Sequence, residues 1–454
     1  MPILRKNAAM PTLDSLSRNK STPYGGLLLL EALCRRWHLW DRIDEAQFPA
    51  VDVVELGARP SQSIVAQLVF AMPTGGTTCA EVAMLREDSL LLRLVGPKLP
   101  ADENTLLSWL DTQTDESVQS LRRLNVALVT SALAECWPAE AEAGKKPLQV
   151  VMHTKNWMIS RETRFIVDGG PSWFRRCWKT LTVGPFLMDG LWNDDASQAD
   201  NHAQFEQLGM SHLNAWNRYD SYFVSDEFPG CDAWNRVVDA AGFAQWSAEL
   251  ASAVVCNEIP INLDSQGLKW KPANADDSQA QQLCMFYPKC PDPEKGERPV
   301  VPGSVALGRR KGEGDGSYWH QFLAVPGGTT SAQEYFTRHY AAIPVAVQIL
   351  DDLNLNRMVT LGARARTAFF IIASLTYNLL MALRLLLLPH LRSWGAREMI
   401  RGIITTPAVM SSSGRRNTLC MGTTKDWPPG WRDFVNRSMP RKIRRLAKQG
   451  ESPA

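Results

Sequence analysis

Asp226 closes the apolar run SYFVSD, and a carboxylate at a strand end can do chemistry or can cap the turn that follows. His153 closes a second run, PLQVVMH. An imidazole there can ligate Mn²⁺ or Zn²⁺ and suits Mg²⁺ poorly; its plainer role is that of a hydrogen-bonded structural residue. Asp168, Asp189, Asp194 and Asp195 lie on or near two further runs. Asp189, in FLMDG, is the most interesting of these, because a neighbouring strand would bring it beside Asp226. The competing assignment is a hairpin-turn aspartate. The familiar catalytic signatures are missing: no GxxxxGKS/T, no GxGxxG after a strand, no HExxH and no GxSxG. The segment RRKGEGDG, from Arg309 to Gly316, resembles a phosphate loop only loosely and reads as an exposed turn.

These residues sit in a chain whose patterning changes along its length. From Tyr24 to about Trp137 it reads as helical, with leucines at helical spacing in GGLLLLEALCRRW and caps at Ser61 and Asp102. From Pro147 the pattern becomes strand-like: PLQVVMHT, then two runs around Gly184–Pro185, then DSYFVSDEF, with CDAWNRVVDAAGF as a helix behind them. Residues 255–330 are rich in Pro, Gly, Asp and Lys and read as an irregular β-rich insertion. Helical periodicity resumes at Ser331. The alternation predicts an α/β fold, a mixed sheet with flanking helices. The divisions are a flexible arm (1–23), a helical N-terminal region (24–145), a sheet domain in two parts (146–254 and 331–405) split by the insertion, and a basic C-terminal tail (406–454).

Composition narrows the class. The 454 residues are 45% hydrophobic and 21% charged with a net charge of +2, values that suit a globular chain of two or three domains. The start, MPILRKNAAMPTLDSLSRNKS, has no apolar core of a signal peptide. Nine scattered cysteines make no disulfide framework, so a reducing cytoplasm is the expected compartment. Near-neutrality hides a basic end: Arg432 to Lys448 holds seven Lys or Arg and one Asp. That run reads as a solvated helix or as a contact surface for a phosphate backbone, with Arg441, Lys442, Arg444 and Arg445 as the candidate contacts.

Several pieces in order resemble landmarks of the DDE transposases of bacterial insertion sequences. GGLLLLEALC, MPTGGTTCAEVAMLREDSLLLRLVG and LPADENTLLSWL resemble the helical region that leads into the catalytic domain. SYFVSDEF resembles the strand that carries the second acid, and ARTAFFIIASLTYNLLMALR the helix after the third. SSSGRR, from Ser411, resembles a late motif. The resemblance spans about Gly25 to Arg445. It implies an RNase H-like fold and two metal ions, Mg²⁺ or Mn²⁺, held by three carboxylates. Its activity is cleavage and strand transfer at the terminal repeats of a DNA element, and it allows a homodimer in a DNA complex. Asp226 fits the second acid and would be a metal ligand. At the first position this sequence has His153. For the third, the start Tyr-x-x-Arg is matched by Tyr335 to Arg338, but the acid's slot falls at Ala342 by one spacing and near Pro344 by another. Asp351 lies about two turns past it. The alternative is a transposase-derived DNA-binding protein without catalysis.

The most apolar segment, Phe369 to Leu391, raises a third class, a membrane-anchored protein. Its uncharged run ends at Arg384, short of the ~20 residues of a bilayer span, and Ser374, Thr376 and Asn378 interrupt it. It is therefore expected to be a core helix of the RNase H-like domain, ended by Pro389, with no membrane contact.

Overall fold

The computed structural model describes residues 3–5, 21–49, 60–76, 78–95, 100–144, 147–157, 176–193, 198–213, 216, 219–250, 268–273, 281–288, 301–311, 318–352, 362–391, 393–413, 416–422, 427 and 430–438. The chain forms two compact units. Met1–Ala143 and Ile349–Ala454 make the first, and Gly144–Gln348 the second.

The first unit is helical around one apolar helix. Strands β1 (Ile3–Arg5) and β2 (Ser21–Thr22) precede helices α1 (Leu27–Arg36), α2 (Ser61–Ala71), α3 (Cys79–Ala83), α4 (Ser89–Val95), α5 (Glu103–Asp111) and α6 (Asp115–Gly144). The starts are capped as the side chains dictate. Asp102 accepts from Thr105 N–H at 2.8 Å, and Thr78 with Glu81 forms a reciprocal capping box. Gly25 and Gly26 matter because the entry to α1 runs against another backbone. A Cβ on Gly26 would fall 1.9 Å from the carbonyl oxygen of Ile403, and Gly25 N–H donates to Thr406 O at 2.7 Å.

The second unit holds a nine-stranded mixed sheet in the order β5-β4-β3-β6-β7-β11-β10-β9-β8. Its strands are β3 (Leu148–Trp157), β4 (Arg176–Val183), β5 (Phe186–Asn193), β6 (Ser221–Ser225), β7 (Gln245–Glu249), β8 (Lys271–Pro272), β9 (Gln282–Phe286), β10 (Ser304–Lys311) and β11 (Tyr318–Val325). Strands β3, β6 and β7 run parallel, and the other pairings are antiparallel. Within the segment expected to be an irregular β-rich insertion, β8 to β11 extend the same sheet. Helices α7 (Gln198–Ser211) and α8 (Cys231–Ala241) cover one face, where Phe205, Phe223 and Trp234 pack with ring centroids 5.2–6.2 Å apart. The opposite face carries α9 (Ala332–Asp352). Its Ala332, Tyr335 and Phe336 pack on Leu283, Ala306, Leu323 and Val325, and Ala342 packs on Val151, Tyr222 and Val224. The helix continues through Pro344 rather than breaking there.

After α9 the chain returns to the first unit with α10 (Ala363–Leu387), α11 (Ala396–Met399), the hairpin β12 (Ala408–Ser413) and β13 (Arg416–Met421), and α12 (Trp431–Ser438). This corrects three expectations. The apolar helix α10 is a core helix, but of the helical unit: it packs against α1, α2 and α5 and not in the sheet domain. The residues from 406 onward begin as structure, because β13 and β12 form a four-stranded sheet with β1 and β2 at its edges. The N-terminal arm is accordingly paired in part, Ile3–Arg5 with Thr418–Cys420 and Ser21–Thr22 with Val409–Ala408.

By length and composition α10 would suffice to cross a bilayer. Its polar side chains instead find protein partners. Asn378 donates to Asn125 Oδ1 of α6 at 2.9 Å, Thr376 reaches Val69 O of α2 at 3.3 Å, and Ser374 bonds back to Phe370 O. Asn378 and Asn125 are 0% and 1% exposed, so this hydrogen bond is made out of reach of solvent. Asn125→Leu should lower stability by about 1 kcal/mol, the net worth of a typical buried hydrogen bond. Denaturant unfolding with an unchanged m-value would check it.

Candidate functional site

The parallel pairing of β3 with β6 sets Met152 opposite Ser225, so the next residues, His153 and Asp226, come side by side. Both project from the face that α9 covers, together with Val151 and Val224 two residues earlier. Asp226 N–H continues the ladder to Met152 O at 3.2 Å. Thr154 N–H donates to both Asp226 oxygens, at 3.0 and 2.8 Å. His153 Nδ1 lies 2.6 Å from Asp226 Oδ2, an imidazole–carboxylate contact at ion-pair distance. The side chains are 10% and 15% exposed.

A second charged contact lies on the other face of the same strand pairs. Lys179 of β4 sits opposite Thr154 and is buried, its Nζ 3.2 Å from Glu227 Oε2. Thr154 Oγ1 also points to that oxygen, at 3.4 Å. Thr154 therefore serves both acids, Asp226 through its backbone and Glu227 through its hydroxyl.

Beneath α9 a buried polar chain runs from Tyr222 to His339. Tyr222 donates to Ser247 Oγ at 3.0 Å, and Ser247 Oγ stands 2.9 Å from His339 Nδ1. The direction of the Ser247–His339 bond follows the ring tautomer, and the ring's other nitrogen is Nε2. That nitrogen is buried and meets no hydrogen-bond partner. Burial holds the His339 pKa down to about 4, and the charge of Asp226 opposes the shift. Glu249, at the end of β7, is raised first by burial and then by the Asp226 charge. Tyr340 is raised by burial and by Glu249. Glu249 is thus a second acid within electrostatic reach of Asp226 that sequence reading missed; its only signal there was an acid ending a short run, QWSAE.

The other expected residues fall elsewhere. Asp189 does not join Asp226. It lies on β5, three strands away, or about 14 Å at ~4.8 Å per strand. Its register opposite Leu181 turns it to the face covered by α7, where its Oδ2 meets His212 Nε2 at 2.9 Å and its Oδ1 accepts from Gly190 N–H. Asp351 is in the last turn of α9, and its side chain lies outside the described residues. Asp168, Asp194, Asp195, Arg441, Lys442, Arg444 and Arg445 also lie outside them.

A site for two divalent ions needs several carboxylates with free oxygens. At the first two positions where the resemblance sets them, this chain has the imidazole of His153 and an Asp226 carboxylate that accepts through both oxygens; at the third it has the methyl group of Ala342 by one spacing and Pro344 by the other, and neither is an acid. Among the described residues no group of three or more His, Cys, Asp or Glu is arranged to hold a metal ion. The donor set does not fit two Mg²⁺. No protein-family model matches this chain, and no curated protein sequence does.

His339 gives the site a pH signature. A histidine whose folded pKa lies below its unfolded value stabilises fully above the unfolded pKa, near 6.5, and the contribution is lost as pH falls towards 4. Stability should decline by on the order of 3 kcal/mol across that interval, at ~1.4 kcal/mol per pKa unit. His339→Phe should flatten that decline in urea melts between pH 7 and pH 4.

Proposed function

We propose that this chain is a transposase-derived protein that binds DNA without cutting it, its sheet unit an RNase H-like domain. One observation carries the reading. His153 and Asp226, which stand at the first two acid positions of the resemblance, and Ala342, one of the two slots it leaves for the third, belong to one sheet face and the helix that packs on it. Such convergence of positions 70 to 190 residues apart supports the correspondence of the fold. Their identities support loss of the metal chemistry, since only one of the three is an acid.

The mixed sheet with three parallel strands and helices on both faces is in keeping with that domain type. Binding rests on charge. The run from Arg432 to Lys448, seven cations to one acid, is the electrostatic footprint of a partner with a phosphate backbone. The helical unit supplies the surfaces on which sequence would be read.

The test is a salt series of duplex DNA binding by fluorescence anisotropy. The logarithm of affinity should fall linearly with the logarithm of salt. Replacing Arg441, Lys442, Arg444 and Arg445 by Ala should weaken binding and flatten the slope by up to about 3.6, at ~0.9 per phosphate contact. Binding without salt dependence would defeat the reading of a DNA partner. Nicking of supercoiled DNA that needs Mn²⁺ and disappears in Asp226→Asn or Glu249→Gln would defeat the non-cutting reading.

A further inference from the structure

We infer that the His153 ring takes the place of a divalent cation against Asp226, so that this centre excludes metal. The inference rests on the proposed reading for the correspondence of positions, and on geometry for the exclusion. Mg²⁺ bonds oxygen at about 2.1 Å, so two ligand atoms at neighbouring corners of its octahedron stand about 3 Å apart. His153 Nδ1 is closer to Asp226 Oδ2 than that, at 2.6 Å. The ring lies directly on the oxygen, with no room for an ion between them.

Asp226 also has a partner from its own sheet. Both oxygens accept the Thr154 N–H. An ion would have to displace an imidazole that is mostly buried and compete with a backbone donor fixed in a strand. The neighbouring acid, Glu227, is engaged by the buried Lys179 and by Thr154 on the opposite side of the strands. On the helix side Ala342 offers a methyl group, packed on Val151 and Val224. Those two residues lie one pleat repeat, about 6.6 Å, before His153 and Asp226.

The fold therefore keeps the positions of a metal site while two side chains close it. His153→Asp removes the obstructing ring and adds a carboxylate beside Asp226. Ala342→Glu adds a third from the helix. Together they supply three acids from three elements, the donor type that a hard dication prefers.

The experiment titrates Mn²⁺ into the full chain and follows the electron paramagnetic resonance signal of the free ion, with circular dichroism as the check of folding. The wild type should leave the signal unaltered and show no Mn²⁺-dependent rise in melting temperature. The double variant His153→Asp/Ala342→Glu should gain Mn²⁺ affinity by about tenfold or more over the wild type. His153→Asp alone, the smaller change, should move the same way and stands in if the double variant does not fold. One equivalent of Mn²⁺ bound by the wild type and lost in Asp226→Asn would overturn the inference. A folded double variant that binds no more Mn²⁺ than the wild type would also overturn it, by showing that the positions do not converge. DNA binding in the salt series is read separately. Its loss with Mn²⁺ excluded would sink the functional reading alone, and Mn²⁺ bound at Asp226 with DNA binding intact would sink this inference alone.

Discussion

The parallel pairing of β3 with β6 is the constraint on which the site depends. Its register puts residue 153 beside residue 226, and side chains alternate faces along both strands. A slip of one residue would turn His153 towards α7 and α8 and bring Lys179's side of the sheet beneath α9. The register is fixed on both sides at once. Phe223 belongs to the aromatic cluster under α7 and α8, while Tyr222 and Val224 meet Ala342 on the other face. Hydrophobic packing thereby decides which polar side chains share a face, and the contacts of Asp226 follow from it.

The two faces handle charge differently. On the α7 side, Asp189 with His212 and Lys179 with Glu227 form opposed pairs at 2.9 and 3.2 Å. On the α9 side, Glu249 is raised by burial and then by the Asp226 charge, and His339 is held below its ordinary range by burial. Removing a partner from a buried pair generally costs more than the pair contributes. The α9 face thus keeps polar groups where an apolar packing would be simpler, and these groups cluster around Asp226.

Much of the sheet was legible before any coordinates. β3, β4, β5, β6 and α8 announce themselves through apolar runs, through the turn at Gly184–Pro185 and through the Gly242 that ends α8 with a positive φ of 68°. Asp226 could be singled out because it closes such a run. Helix α7 was missed because QADNHAQFEQLGMS is polar along much of its length and shows little of the period of a helix. Strand β7 was missed because QWSAE has no β-branched residue and is only five residues long. The error over Asp189 was one of register: alternation shows that a strand has two faces but not which face meets which partner. The error over α10 was one of distance along the chain. A buried helix looks the same in sequence whichever core buries it, and only the contacts of Asn378 and Thr376 assign it to the helical unit.

The helical unit is built from the two ends of the chain, with the sheet unit encoded between them. During synthesis, α1, α2 and α5 leave the ribosome long before the helix that completes their core. The 205 residues from Gly144 to Gln348 must be made first, and they form a contiguous segment able to fold while the ends wait. Until α10 arrives, the side of α2 that packs against it lacks that cover. The nascent chain therefore passes through a stage with an exposed apolar surface, whose length is set by the translation of its own middle segment, and that stage is where chaperone dependence and premature aggregation would be concentrated.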